Sequence, residues 1–161
     1  MRDATSSSLA PPRVPAKPAH LPRALFGGTL ARKTVADARP ITVLVLDDEA
    51  HIRQAVTDYL DDEGRFTSFG AATAAEAFGV LDREKVRVCL VDLRLKGTDG
   101  FAFLEQARPR HPDVVFFVQT GSYEADVRER ARAAGIPDDR VLLKPFRLEA
   151  LVQAIDRALE A

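Results

Sequence analysis

The stretch ITVLVLDDE, residues 41–49, decides the fold. Ile41 to Leu46 form an unbroken run of apolar and β-branched residues that ends in three consecutive acids, Asp47, Asp48 and Glu49. A short continuous run of this kind is a strand buried on both faces, as in a parallel sheet. Just beyond the acids, Ile52, Ala55, Val56, Tyr59 and Leu60 recur at helical spacing and predict an amphipathic helix. The same alternation continues along the chain. Further strands are expected at Phe66–Phe69, Val86–Val91, Val114–Val118 and Val141–Leu143. Thr73–Leu81, Phe101–Arg108 and Glu124–Ala134 supply helices, the last stopped by Gly135. Leu148, Leu151, Val152, Ile155 and Leu159 mark the final helix. Five strand–helix units in about 120 residues predict an α/β fold, a three-layer doubly wound parallel sheet; an eight-fold barrel would need roughly 250 residues.

Ahead of residue 41 the chain changes character. Residues 1–40 carry seven Lys/Arg and two Asp/Glu, a local charge of +5, against -6 for the remainder. Six of the ten prolines also lie there, so Ala10–Pro22 can be neither a continuous helix nor a central strand. A basic, proline-rich disordered tail is expected over residues 1–40, with one folded domain over residues 41–161. Leu25, Phe26, Leu30 and Val35 make a weak helical pattern broken by Gly27-Gly28. An acid-poor, Arg- and Ser-bearing start superficially fits an organellar transit peptide, but its prolines oppose an amphipathic helix. One cysteine excludes an internal disulfide and a zinc finger. No run approaches the roughly 20 apolar residues of a membrane span, and no secretory signal opens the chain. A cytoplasmic protein with no membrane partner is the expectation. The net charge of -1 gives no general case for nucleic acid.

Open parallel sheets bind ligands beyond the carboxyl ends of their strands. There the sequence places Asp47-Asp48-Glu49, Asp92, Gln119-Thr120-Gly121 and Lys144-Pro145. Each has a plainer explanation when taken singly: Asp48 or Thr120 as a helix cap, Asp92 as a turn former, Lys144 as a solvated strand end. Those explanations do not account for the assembly. Like charges gathered at one sheet edge raise one another's pKa or require a cation. Oxygen-only ligands favour Mg²⁺ or Mn²⁺ over Zn²⁺. Such a cation beside an ammonium and a hydroxyl suits phosphoryl oxygens. A bound nucleotide fits less well, since Asp47-Asp48-Glu49-Ala50-His51 is not a glycine-rich phosphate loop.

Leu46-Asp47-Asp48-Glu49, Leu90-Val91-Asp92-Leu93 with Asp99-Gly100, Gln119-Thr120-Gly121, and Leu142-Leu143-Lys144-Pro145-Phe146 together resemble the receiver domain of two-component response regulators. The resemblance covers Ile41 to Ala161. It implies a flavodoxin-like (βα)5 fold with strand order 2-1-3-4-5 and a phosphorylation-driven switch. Asp92 would be the phosphoacceptor, a nucleophile served by a histidine kinase, a histidine phosphotransfer protein or a small phosphodonor. Mg²⁺ (or Mn²⁺) would be ligated by Asp48, Asp92 and the carbonyl of Arg94, with Asp47 acting through bound water. Lys144 would pair with Asp92 and then with a phosphoryl oxygen. Thr120, helped by the N–H of Gly121, would move to the phosphoryl group as the switch. The Lys144–Pro145 bond is implied to be cis.

Departures from the family pattern are also visible. Val141 stands where the family often carries an aromatic whose rotamer follows the threonine, and valine's stiff χ1 offers no comparable swing. Arg94-Leu95-Lys96-Gly97 replaces a common Met-Pro pair. Arg94 and Ser122 hold the positions that tune dephosphorylation. Gly135–Arg140 is somewhat longer than usual. The chain ends at Ala161, directly after the last helix, so a stand-alone receiver acting on an unknown downstream protein through protein–protein contacts is expected. It would be no enzyme beyond promoting its own phosphorylation and slow dephosphorylation. Two rivals are a phosphorylation-independent receiver-like interaction module and a Mg²⁺-dependent aspartyl phosphohydrolase. The second usually carries another acid two residues after its nucleophile, where this chain has Arg94. Cys89 is expected to be a buried structural thiol. His20, His51 and His111 lack partners at metal-ligand spacing. Arg128, Arg130 and Arg132 predict a solvated or docking face of the fourth helix.

Overall fold

A computed structural model describes residues 39–122 and 125–161. The tail expected over residues 1–40 therefore lies outside the described residues except for Arg39 and Pro40, as does Glu124 at the expected start of the fourth helix.

The chain begins with β1 (Ile41–Leu46), α1 (Ala50–Asp62), β2 (Phe66–Ala71) and α2 (Ala74–Arg83). After β3 (Val88–Asp92) come two short strands, β4 (Arg94–Leu95) and β5 (Thr98–Asp99), and then α3 (Gly100–Arg110). The remainder is β6 (Val115–Thr120), α4 (Ala125–Ala133), a 3-10 turn at Asp138–Arg140, β7 (Val141–Leu143) and α5 (Leu148–Glu160). The main sheet has five parallel strands in the order β2-β1-β3-β6-β7. This is the doubly wound order expected from the sequence, with the order reversing between β1 and β3.

Strand pleating sends alternate residues to opposite faces. Leu44, Leu46, Cys89, Val91, Phe116 and Val118 pack on one face with Ala77, Leu81, Phe103 and Leu104 from α2 and α3. Val43, Val45, Val88, Leu90 and Phe117 pack on the other with Val56 and Leu60 of α1 and Leu151 and Ile155 of α5. Both faces are covered, which is why the strands read as continuous apolar runs. Thr73 caps α2 by accepting from Glu76 N–H, and the Glu76 carboxylate accepts from Ala72 N–H at 2.8 Å, a reciprocal arrangement close to a capping box.

The β4–β5 ribbon was not foreseen. Its two-residue strands have no period to read, and its turn rests on Gly97 in the left-handed region at φ 80°. Among the described residues no helix is long and apolar enough to cross a membrane.

Candidate functional site

The neighbouring strands β1 and β3 end in register, and each delivers an acid to the same edge of the sheet. Asp47 is fully buried and Asp92 nearly so. Two buried carboxylates require partners. Asp92 Oδ1 accepts from Arg94 N–H at 2.9 Å, and its Oδ2 accepts from Lys144 Nζ at 2.7 Å. Asp47 Oδ1 accepts from Glu49 N–H at 2.8 Å, while its Oδ2 accepts from Lys144 Nζ at 3.2 Å and from Gln119 Nε2 at 2.6 Å. One ammonium thus bridges two carboxylates. It arrives there because Lys144 follows β7 directly, with its N–H bonded to Thr120 O at 2.7 Å. The Lys144–Pro145 peptide is cis.

Burial acts most strongly on Asp92, pushing its carboxyl above the ordinary range. The Lys144 and Arg94 hydrogen bonds pull it back, and the charge of Asp47 adds to the rise. Burial opposes the charged form of Lys144, yet the hydrogen bond and charge of Asp92, with those of Asp47, hold its ammonium above the usual lysine value.

Carboxylate oxygens of Asp47, Glu49 and Asp92 lie within 4.8 Å of one another. Three converging hard oxygen donors fit a small divalent cation of the Mg²⁺ or Mn²⁺ type. Asp48, expected among the ligands, is not one of the three. Its Oδ2 accepts from Lys96 N–H in the β4–β5 turn at 3.1 Å. Past the end of β1 the chain turns into α1, so Glu49, the N-cap residue, comes round to the side that Asp47 faces.

Thr120 is buried at the end of β6, and its Oγ1 accepts from Ser122 N–H at 3.1 Å. Thr120, Val141 and Leu143 border a crevice of about 10 Å³ toward α4, room for about one water. Gly121 is exposed beside it. Arg94 is exposed, held close to Asp92 through its backbone. The start of α3 approaches equally closely: a Cβ on Gly100 would lie 2.5 Å from Asp92 O. Asp99 caps that helix with one oxygen and pairs with Arg130 of α4 at 2.8 Å with the other.

Of the residues singled out in the sequence, Asp47, Asp92 and Lys144 come together through their side chains, Thr120 joins Lys144 through its backbone carbonyl, and Asp48 bonds to the β4–β5 turn. Sequence reasoning gave no role to Glu49 or Gln119, although both lay inside quoted motifs.

Residues 43–156 match the response regulator receiver domain family. The hydrogenase transcriptional regulatory protein HoxA of Cupriavidus necator is 36% identical over 121 residues, 74% of this chain and 24% of that protein. Response regulator Rre1 of Synechocystis is 33% identical over 123 residues, 72% of this chain and 52% of that protein. The chain thus spans between a quarter and about half of these curated relatives. Among solved structures, a CheY-like receiver domain protein from Methanospirillum hungatei superposes with a TM-score of 0.69 at 26% identity, covering 75% of this chain and 94% of that one. A response regulator from Thermotoga maritima gives 0.67 at 28% identity, covering 76% and 99%. By sequence over most of its folded part, and by strand order and shape, the chain belongs to the response regulator receiver domain family of two-component signalling.

Proposed function

We propose that this receiver, spanning residues 41–161, is a phosphoaspartate switch with Asp92 as its acceptor. The observation that carries the reading is the sharing of Lys144 Nζ between Asp92 at 2.7 Å and Asp47 at 3.2 Å. A buried carboxylate held by one ammonium, beside further acids, is poised for a group that brings phosphoryl oxygens and takes that ammonium over.

In the step itself, an Asp92 carboxylate oxygen forms a bond to phosphorus. The bond from phosphorus to the donor, an imidazole nitrogen of a histidine kinase or phosphotransfer protein, breaks, and its electron pair leaves with the nitrogen. Lys144 then pairs with a phosphoryl oxygen. Thr120 and Gly121 N–H accommodate the group on its other side, with Val141 as a small neighbour in place of a swinging aromatic. Arg94 and Ser122 flank the approach of water and so bear on the lifetime of the acyl phosphate. Receiver domains bind Mg²⁺ through an acidic pocket, and the Asp47, Glu49 and Asp92 oxygens supply one here. A divalent cation, when bound, neutralises charge on the phosphoryl oxygens. Downstream, the switch acts by binding one partner better when phosphorylated.

Incubation with Mg²⁺ and acetyl phosphate, resolved on a phosphate-affinity gel, tests this. A Mg²⁺-dependent shift that disappears in Asp92→Asn is expected. A folded wild-type protein that shifts neither with small donors nor with histidine phosphodonors would overturn the reading in favour of a phosphorylation-independent interaction module.

A further inference from the structure

Gln119 is fully buried at the end of β6, in register with Asp92 on one neighbouring strand and Leu142 on the other. The residues before it, Phe116, Phe117 and Val118, are apolar, and an apolar residue would continue the strand's pattern. Instead a carboxamide lies 2.6 Å from Asp47 Oδ2, the oxygen that Lys144 also reaches. A carboxylate oxygen accepts only, so the amide must present its NH₂ end. Its Oε1 is then left buried with no hydrogen-bond partner. That unsatisfied carbonyl costs stability which an apolar side chain of like volume would not, set against the charge-assisted hydrogen bond that the NH₂ end gives the buried Asp47.

We propose that Gln119 is a positioning residue which acts through Asp47. By donating to Oδ2 it fixes the direction of that carboxylate, so that Lys144 remains shared with Asp92 and the three acids stay convergent for a divalent cation. The donor is neutral, and that matters. A second cationic side chain at this place would discharge the acids and compete with the metal, whereas an amide orients Asp47 and leaves its charge intact. The inference rests on the acid cluster being the cation site of the proposed phosphoacceptor.

Gln119→Met tests it, since methionine keeps the length and most of the volume but not the donor. Mg²⁺ affinity is read by titration calorimetry and folding by urea denaturation; a purely packing role would move the second readout and leave the first. The expected result is a protein that still unfolds cooperatively in urea, with Mg²⁺ affinity weakened about tenfold. The side-chain NH₂ signals of Gln119 in a ¹⁵N–¹H spectrum of the wild-type protein, protected from exchange and displaced in Asp47→Asn, test the same contact without relying on the methionine variant to fold. A folded Gln119→Met protein with unchanged Mg²⁺ affinity, or NH₂ signals indifferent to Asp47→Asn, would overturn the role of Gln119 alone. Wild-type protein that binds no Mg²⁺ would overturn the cation site and this inference together.

Discussion

Gly100 is a residue whose missing side chain shapes the site. A Cβ there would meet Asp92 O at 2.5 Å and Leu93 Cα at 2.7 Å, both backbone atoms that cannot yield cheaply. The close approach lets Gly100 N–H bond to Leu93 O at 3.2 Å, tying the start of α3 to the end of β3. Gly100→Ala is expected to destabilise the protein by about 1–3 kcal/mol in urea denaturation, through overpacking against backbone. Gly97→Ala should cost about 1 kcal/mol for a different reason, since its Cβ would meet open space but its φ of 80° disfavours a side chain. Similar losses from distinct causes can be separated by the spectrum of the Asp92 loop, which only the first variant should disturb. At this scale the sequence is legible in part. Asp92 and Lys144 declare themselves because each directly ends an apolar run, and Thr120 because it follows one after a single residue. The nearness of Glu49 to Asp47 and Asp92 does not, because it depends on how the chain turns after Asp47. Nor does Gln119, whose partner lies 72 positions away.

Of the five α-helices, α4 buries the fewest of its described residues. Ala131 is the one buried residue among those described in it. Arginines do much of the remaining work: Arg130 pairs with Asp99 and stacks 4.2 Å from the centre of the Phe101 ring, and Arg132 pairs with Asp138. Exposed pairs of this kind are weak and screened by salt. Hydrogen exchange should therefore find α4 amides the fastest of the five helices, faster again in 0.5 M salt at about the Debye length of a few ångströms. The hydrogen bond from Arg132 holds the Asp138 carboxyl below the ordinary carboxylate range. A lowered folded-state value means that this contribution is complete above the unfolded value and is lost as pH falls through the folded one. Wild type and Asp138→Asn should accordingly converge in urea midpoint between about pH 5 and pH 2, and remain apart at neutral pH. Retained separation in acid would exclude the pair as the cause. The strand and helix order was legible because burial on two faces leaves apolar runs and one-sided helices leave stripes. Boundaries were less so: β3 begins two residues after the expected Val86, and α3 runs to Arg110 through Pro109, which stands in its last turn.

At the scale of the molecule, the sheet divides two apolar layers, and Cys89 sits in the central strand facing one of them. Burial pushes its thiol far above the usual value, so it carries no thiolate in the folded state. Iodoacetamide should leave it untouched in native buffer and label it at a rate that follows global unfolding as urea is added. Rapid labelling without urea would mean that β3 opens locally. The parallel strands themselves are unequal. β1 is paired on both sides and fully buried from Val43 onward, whereas β7 is a three-residue edge strand with no residue fully buried. The anvil and the hammer are therefore mounted differently. Asp92 ends β3 and Thr120 ends β6, both paired on two sides, while Lys144 follows the edge strand β7, which is paired on one side only. The carboxylate is thus held by the middle of the sheet and the ammonium that meets it by the rim, so any group that drew Lys144 away from Asp92 would act first on the strand braced from one side.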